Sequence, residues 1–329
     1  MSEEFEQLEK RISRLSQQSR FKEVEPLLAQ ATQMARVEYG ENHPMYAGFL
    51  NDLGGLYRGS GEYAKSETCF LDAMKALGES VGRNHPDYAT CVNNLAGLYR
   101  LTGDYAKGEK LFLEASDIYA RTVGEQHYLY ASNLNNLALL YQDMGRYDEA
   151  EQLQEQALEI VRGGDDQVSY ATSLSNLAAV CVAKRDFAKA QTLLEEALGI
   201  LRQATGTQDP YYASALNSLA AVRHAQSDYE AAEPLYIEAM EICRKIWGEE
   251  HPVYASGLTS LGRLHEARGD YGRAEESYLR ALEIRGRVLG EGHPAYTQTL
   301  NFLARLYERM GDAEKAQRVR SRSGGDARR

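Results

Sequence analysis

The 329-residue chain is poor in the features that cross-link a fold or anchor it in a bilayer. It has seven prolines, four cysteines and one tryptophan, and no run approaches the ~18 apolar residues of a membrane helix. A spanning helix is therefore excluded, and no membrane partner is expected. The opening MSEEFEQLEKR lacks the apolar segment of a secretory leader, so the expected location is cytoplasmic. There Cys69, Cys91, Cys181 and Cys243, which show no CxxC spacing, are expected as small reduced side chains rather than disulfides or metal ligands. Positive charge is also short: 37 Lys and Arg against 48 Asp and Glu give −11, which argues against a nucleic-acid partner. No G-x-x-x-x-G-K-[ST], G-x-S-x-G or H-E-x-x-H occurs, and His224 and His265 lack an accompanying ligand set of carboxylates. The chain is accordingly not expected to be an enzyme, and no catalytic residue, metal or cofactor is assigned.

What is present is repetition. GENHPMYAG (40–48) returns as GRNHPDYAT at 82, GEEHPVYAS at 248 and GEGHPAYTQ at 290. The tyrosine of this segment recurs at 46, 88, 130, 170, 212, 254 and 296, spaced by 42 except for one interval of 40. A second aromatic follows 17 residues later, from Tyr63 to Tyr271, with Phe21 as an earlier member of the series. Sixteen of the 22 tyrosines occupy only three places in the repeat, so their default role is architectural. Each unit reads as two helices. Counted from the anchor tyrosine, offsets 4, 7, 8, 10 and 11 are apolar or small, apart from Arg223 and His265 at offset 11, and share one helical face. A glycine closes the first helix in most units, with Arg185 and Ser227 in its place in two; Arg185 is there either strained or in a different turn. His43, His85, His127, His251 and His293 share one loop position, filled elsewhere by Gln167 and Asp209. Catalysis needs unlike groups converging, and this is one group spread out, so these histidines are expected to support the turn.

NNLALLYQDMGRYDEAEQLQEQALEI (135–160) resembles the tetratricopeptide repeat, and the 42-residue length with its G--HP loop is most similar to kinesin-light-chain repeats. The resemblance implies an all-α fold, an α-solenoid in which helix-turn-helix units stack into a right-handed superhelix. Full units cover 46–295; a divergent first unit and a truncated last one extend a single solenoid of about eight repeats over 1–321, followed by a disordered basic tail at 322–329. First helices would line a concave groove.

Offsets 2, 5, 6, 9, 12 and 13 point away from the apolar set and so into that groove. They are rich in Asn, Ser, Thr and Gly, poor choices for a merely solvated helix face. Two explanations stand: crowding between neighbouring helices, or a ladder of amides that binds an extended peptide backbone. Asn51, Asn93, Asn94, Asn135, Asn136, Asn176 and Asn217 are the candidate ladder. Arg58 and Arg100 near one end, and Arg263 and Arg305 near the other, are candidate contacts for acidic groups, with a more apolar middle at Leu139, Ala179 and Val182. The expected function is a protein–protein interaction scaffold or adaptor that takes a peptide or helix bearing acidic and apolar residues. A peptide-responsive regulatory sensor, or the regulatory subunit of a separately encoded enzyme, is the alternative. Oligomeric state is not legible. Two residues are missing from the unit between Tyr130 and Tyr170, in the second helix or its loop, where a change of superhelical twist is expected.

Overall fold

A computed structural model describes residues 3–17, 20–164 and 166–323. The described residues form sixteen α-helices and two compact units, Met1–Arg185 and Asp186–Arg329. The first unit holds α1 (Glu3–Gln17), α2 (Phe21–Tyr39), α3 (Pro44–Ser60), α4 (Tyr63–Ser80), α5 (Pro86–Thr102), α6 (Tyr105–Thr122), α7 (Tyr128–Asp143), α8 (Tyr147–Arg162) and α9 (Gln167–Ala183). The second holds α10 (Phe187–Ala204), α11 (Pro210–Ala225), α12 (Tyr229–Trp247), α13 (Pro252–Arg268), α14 (Tyr271–Val288), α15 (Pro294–Arg309) and α16 (Ala313–Ser323). Odd-numbered helices lead a hairpin and even-numbered ones trail. Of the expected basic tail, Arg322 and Ser323 end α16, and residues 324–329 lie outside the described residues.

The repeated histidine starts the leading helices. In His43, His85, His127, His251 and His293, Nδ1 accepts the backbone N–H two residues on, from Met45, Asp87, Leu129, Val253 and Ala295, at 3.1–3.2 Å. This satisfies one of the amides that a helix N-terminus leaves without an intrahelical partner. Each cap uses the lone pair of Nδ1. Where histidine is replaced, aspartate caps: Asp209 accepts from Tyr211 N at 2.8 Å and Asp166 from Ser169 N at 3.0 Å. The copied histidine is a helix cap.

Glycines at 61, 103, 145, 269 and 311 turn the chain between the helices of a hairpin with φ of 75–85°. Arg185 and Ser227 adopt the same left-handed backbone at φ 63° and 64°, so Arg185 is strained rather than in a different turn. Such a conformation costs a non-glycine residue about 1–2 kcal/mol. Where leading and trailing helices cross, offset 8 must be small. A Cβ on Gly54 would stand 2.7 Å from the Phe70 ring, and one on Gly262 would stand 2.6 Å from the Tyr278 ring. Phe70, Phe112 and Tyr278 are fully buried at this crossing.

Within each unit every helix packs on the next in sequence, and leading helices also touch across hairpins: α3 with α5, α5 with α7, α7 with α9, and then α11 with α13, α13 with α15. Leading helices thus lie closer together than trailing ones. The four cysteines are buried and none is disulfide-bonded. The missing pair of residues comes out of a helix: α8 has 16 residues against 18 in α4 and α6. This hairpin also buries Gln154 where six of the other trailing helices place Leu28, Phe70, Phe112, Leu194, Tyr236 and Tyr278.

Candidate interaction face

Offsets 2, 5, 6, 9, 12 and 13 of the leading helices remain exposed or half-buried, with one correction: Thr259, at offset 5, is buried, and its hydroxyl bonds the Ala255 carbonyl at 2.9 Å. The side chains on this face follow a diagonal of 43 residues, from offset n of one hairpin to offset n+1 of the next. Asn94 Nδ2 donates to Asn51 Oδ1 at 2.8 Å, and Asn136 Nδ2 donates to Asn93 Oδ1 at 3.1 Å. Arg100 Nη1 donates to Asp143 Oδ2 at 2.5 Å along the same diagonal. In the second unit the polarity is reversed, with Arg309 Nη1 3.2 Å from Glu266 Oε1. The amide series changes at the short hairpin. Asn135 Oδ1 is buried without a hydrogen-bond partner, and its diagonal neighbour would be Asn176.

Arg58 serves the same junctions. Its Nη1 donates to the Asn94 carbonyl at 3.2 Å, and its guanidinium lies 5.9 Å from the Phe70 ring centre. A Cβ on Gly97 would be 2.9 Å from that nitrogen, so the glycine makes room for the arginine. Burial, and then the neighbouring Arg100, hold the Arg58 pKa below its ordinary value. Opposite this face a second tie recurs, which composition alone conceals. Tyr57, Tyr99 and Tyr141 donate their hydroxyls to Glu25, Glu67 and Glu109 of the preceding trailing helix at 2.6–3.1 Å. Tyr307 does the same to Glu275 at 2.7 Å. The signal was present as a 32-residue spacing between tyrosine and glutamate.

In the second unit Asn217 is half-buried on α11, and Arg263 and Arg305 converge on Phe302, which the sequence marks only as a departure from the asparagine of its offset. Phe302 stands at the offset held by Asn94 and Asn136. The two guanidiniums lie 5.6 and 4.9 Å from its ring centre. Tyr278 stacks on the same ring at 5.9 Å and 17°, and its hydroxyl donates to Glu266 Oε2 at 2.9 Å. Gln298, Asn301, Phe302, Arg305 and Arg320 line a pocket of about 450 Å³ beside this cluster. His224, the other unabsorbed histidine on this face, sets its ring edge against Tyr229 and Tyr236. His265 is buried. Among the described residues, no three His, Cys, Asp or Glu side chains are placed to hold a metal, and no helix is long and apolar enough to cross a membrane.

Comparison with known proteins places this geometry. The tetratricopeptide repeat model matches in five overlapping segments, 47–119, 88–163, 129–203, 211–286 and 255–319. No curated protein matches the chain. Among solved structures, BtubC (BKLC) from P. vanneervenii is 26% identical, with 70% of this chain and 92% of that one covered and a TM-score of 0.54. The nearly identical TPR-like repeats of a putative kinesin light chain from Podosopora anserina are 22% identical over 62% and 97% of the two chains, TM-score 0.52. A Rap protein complexed with Competence and Sporulation Factor has a TM-score of 0.61 at 14% identity, covering 99% and 98%. The chain belongs to the tetratricopeptide repeat family, with 42-residue repeats similar to those of kinesin light chains.

Proposed function

We propose that the chain is a non-enzymatic interaction scaffold that takes a peptide or helix of a partner protein on the face of its leading helices. The observation that carries the reading is the chemistry of that face. Short amides, hydroxyls and glycines stay accessible there from hairpin to hairpin, while the outer sides of the trailing helices carry ordinary charged residues. An amide offers donors and an acceptor at backbone spacing, which suits an extended segment. Asn51, Asn93, Asn94 and Asn136 already bond one another. Each retains polar valences after that bond, so holding neighbours in register and meeting a ligand are compatible roles. Asn135, Asn176 and Asn217 complete the proposed contact set. A cytoplasmic location fits four buried thiols outside any disulfide. The Rap protein solved with its factor supports, as a second reading, a scaffold that responds to a small ligand; that likeness is one of fold.

Affinity capture from a lysate, read by mass spectrometry, tests the leading-face reading. Asn135→Ala/Asn176→Ala/Asn217→Ala should lower recovery of the principal partner at least tenfold without lowering the melting temperature. Leu71→Ser/Leu113→Ser, on exposed trailing-helix positions, should leave recovery intact. The reverse pattern would put the contact surface on the wrong side.

A further inference from the structure

We propose that Arg263, Phe302 and Arg305 form the oxyanion subsite of the leading-helix face, which grips a carboxylate or phosphate carried by a peptide ligand; this rests on the reading of that face as peptide-binding. The argument begins by asking which of the face's arginines have a charge still to offer. Arg58 donates to a backbone carbonyl and is half-buried over Phe70. Arg100 is paired with Asp143, and Arg309 with Glu266. Arg263 and Arg305 are exposed, and among the described residues neither has a carboxylate within ion-pairing distance. The acids one helical turn away are engaged elsewhere: Glu266 by Arg309 and the Tyr278 hydroxyl, and Glu308 by Arg320.

The cluster also departs from the repeat in a correlated way. Offset 9, which holds Arg263 and Arg305, is Gly55, Gly97, Leu139, Ala179 and Ala221 in the other hairpins. Offset 6 is an amide or small polar residue everywhere except at Phe302 and at Asp52. Two arginines and one ring therefore replace small residues together. A guanidinium laid against an aromatic ring is held in plane and keeps its N–H fork at the edge, where two bonds to one oxyanion can form. Gln298 and Asn301, beside Arg305 in the adjoining pocket, add amide donors. In a chain of net charge −11, two guanidiniums without an ion pair of their own favour anions that the rest of the surface repels.

Three fluorescein-labelled peptides on one apolar scaffold, bearing paired glutamates, phosphoserines or glutamines, provide the probe, read by anisotropy at ~50 mM salt so that screening is weak. Wild type should bind a charged peptide at least tenfold tighter than the glutamine peptide. The better of the two charged peptides identifies the source as carboxylate or phosphate. Arg263→Gln/Arg305→Gln should erase that preference, Arg263→Lys/Arg305→Lys should restore part of it, and Arg121→Gln, on an exposed trailing-helix position, should leave it unchanged. A preference that survives in the Arg263→Gln/Arg305→Gln variant, or that is lost in Arg121→Gln alone, overturns the subsite. Equal binding of all three peptides to wild type overturns it too, yet leaves peptide binding on this face standing. If none binds, the subsite is overturned, and the capture experiment on the asparagine variants judges the broader reading separately.

Discussion

Gln154→Leu is expected to stabilise the protein by about 2–3 kcal/mol, and so to raise its urea midpoint and its melting temperature. Gln154 is fully buried at the place where six other trailing helices put Leu, Phe or Tyr. Its Nε2 reaches only the Asn135 carbonyl, at 3.5 Å, and its Oε1 is buried without a partner. A buried acceptor left unmade costs about 1–3 kcal/mol, whereas leucine removes that cost and adds apolar burial. The surroundings sharpen the expectation. Asn133 Oδ1, Asn135 Oδ1 and Gln142 Nε2, three of the four other buried side-chain polar atoms without partners among the described residues, belong to the same hairpin. The short α8 helix and the unpaired Asn135 thus mark one locus where the repeat is poorly satisfied. A drop in stability on Gln154→Leu would mean that the amide holds a network worth more than leucine's packing, and the polar deficit would lose its meaning.

Acidification from pH 6.5 to 5 is expected to destabilise the C-terminal unit through its histidines. Burial pushes the pKa of His224, His251 and His265 below the ordinary histidine value; beside His224 the Arg263 charge adds to this, and at His265 Glu233 works against it. As pH falls through ~6.5 the unfolded chain takes up these protons before the folded one does, so protonation favours unfolding. The stabilisation is complete above that pH and fades toward the lower native values. His251 has a structural stake as well, because its Nδ1 accepts the Val253 amide at 3.2 Å while the ring stacks on Trp247 at 5.0 Å. His251→Asp copies the aspartate cap seen at Asp209 and keeps an acceptor throughout this range. Proton uptake on unfolding between pH 6.5 and 5 should then be smaller than in wild type. A pH-independent melting temperature in wild type over this interval would contradict the assignment.

Much of this was legible beforehand because a repeat reports itself many times over. Seven anchor tyrosines fixed the hairpin length, and the turn glycines fixed where each leading helix stops. Offsets derived from helical periodicity alone largely separated inward from accessible residues: on the polar side Thr259 is buried, and on the apolar side Leu56, Tyr57, Tyr99, Arg223 and Leu258 stay half-buried. Pair chemistry was harder to read. Single-helix periodicity says which way Asn94 points, but its bond to Asn51 depends on how far one hairpin slides along the next. That slide appears only as the 43-residue diagonal. The same gap hid Asp143 as the counter-charge of Arg100 and the tyrosine–glutamate ties at 32 residues. Phe302 was noticed as a departure from asparagine; its place between Arg263 and Arg305 needed coordinates, since the three residues lie on two helices.

A photo-crosslinking residue placed in turn at Asn94, Asn135, Asn176 and Leu113 of the captured complex measures most directly whether recognition is distributed along the leading helices. The expected result is crosslinks from the first three positions to one continuous segment of a single partner, and none from Leu113. Crosslinks confined to Leu113, or gathered at a single leading-helix position, would contradict it.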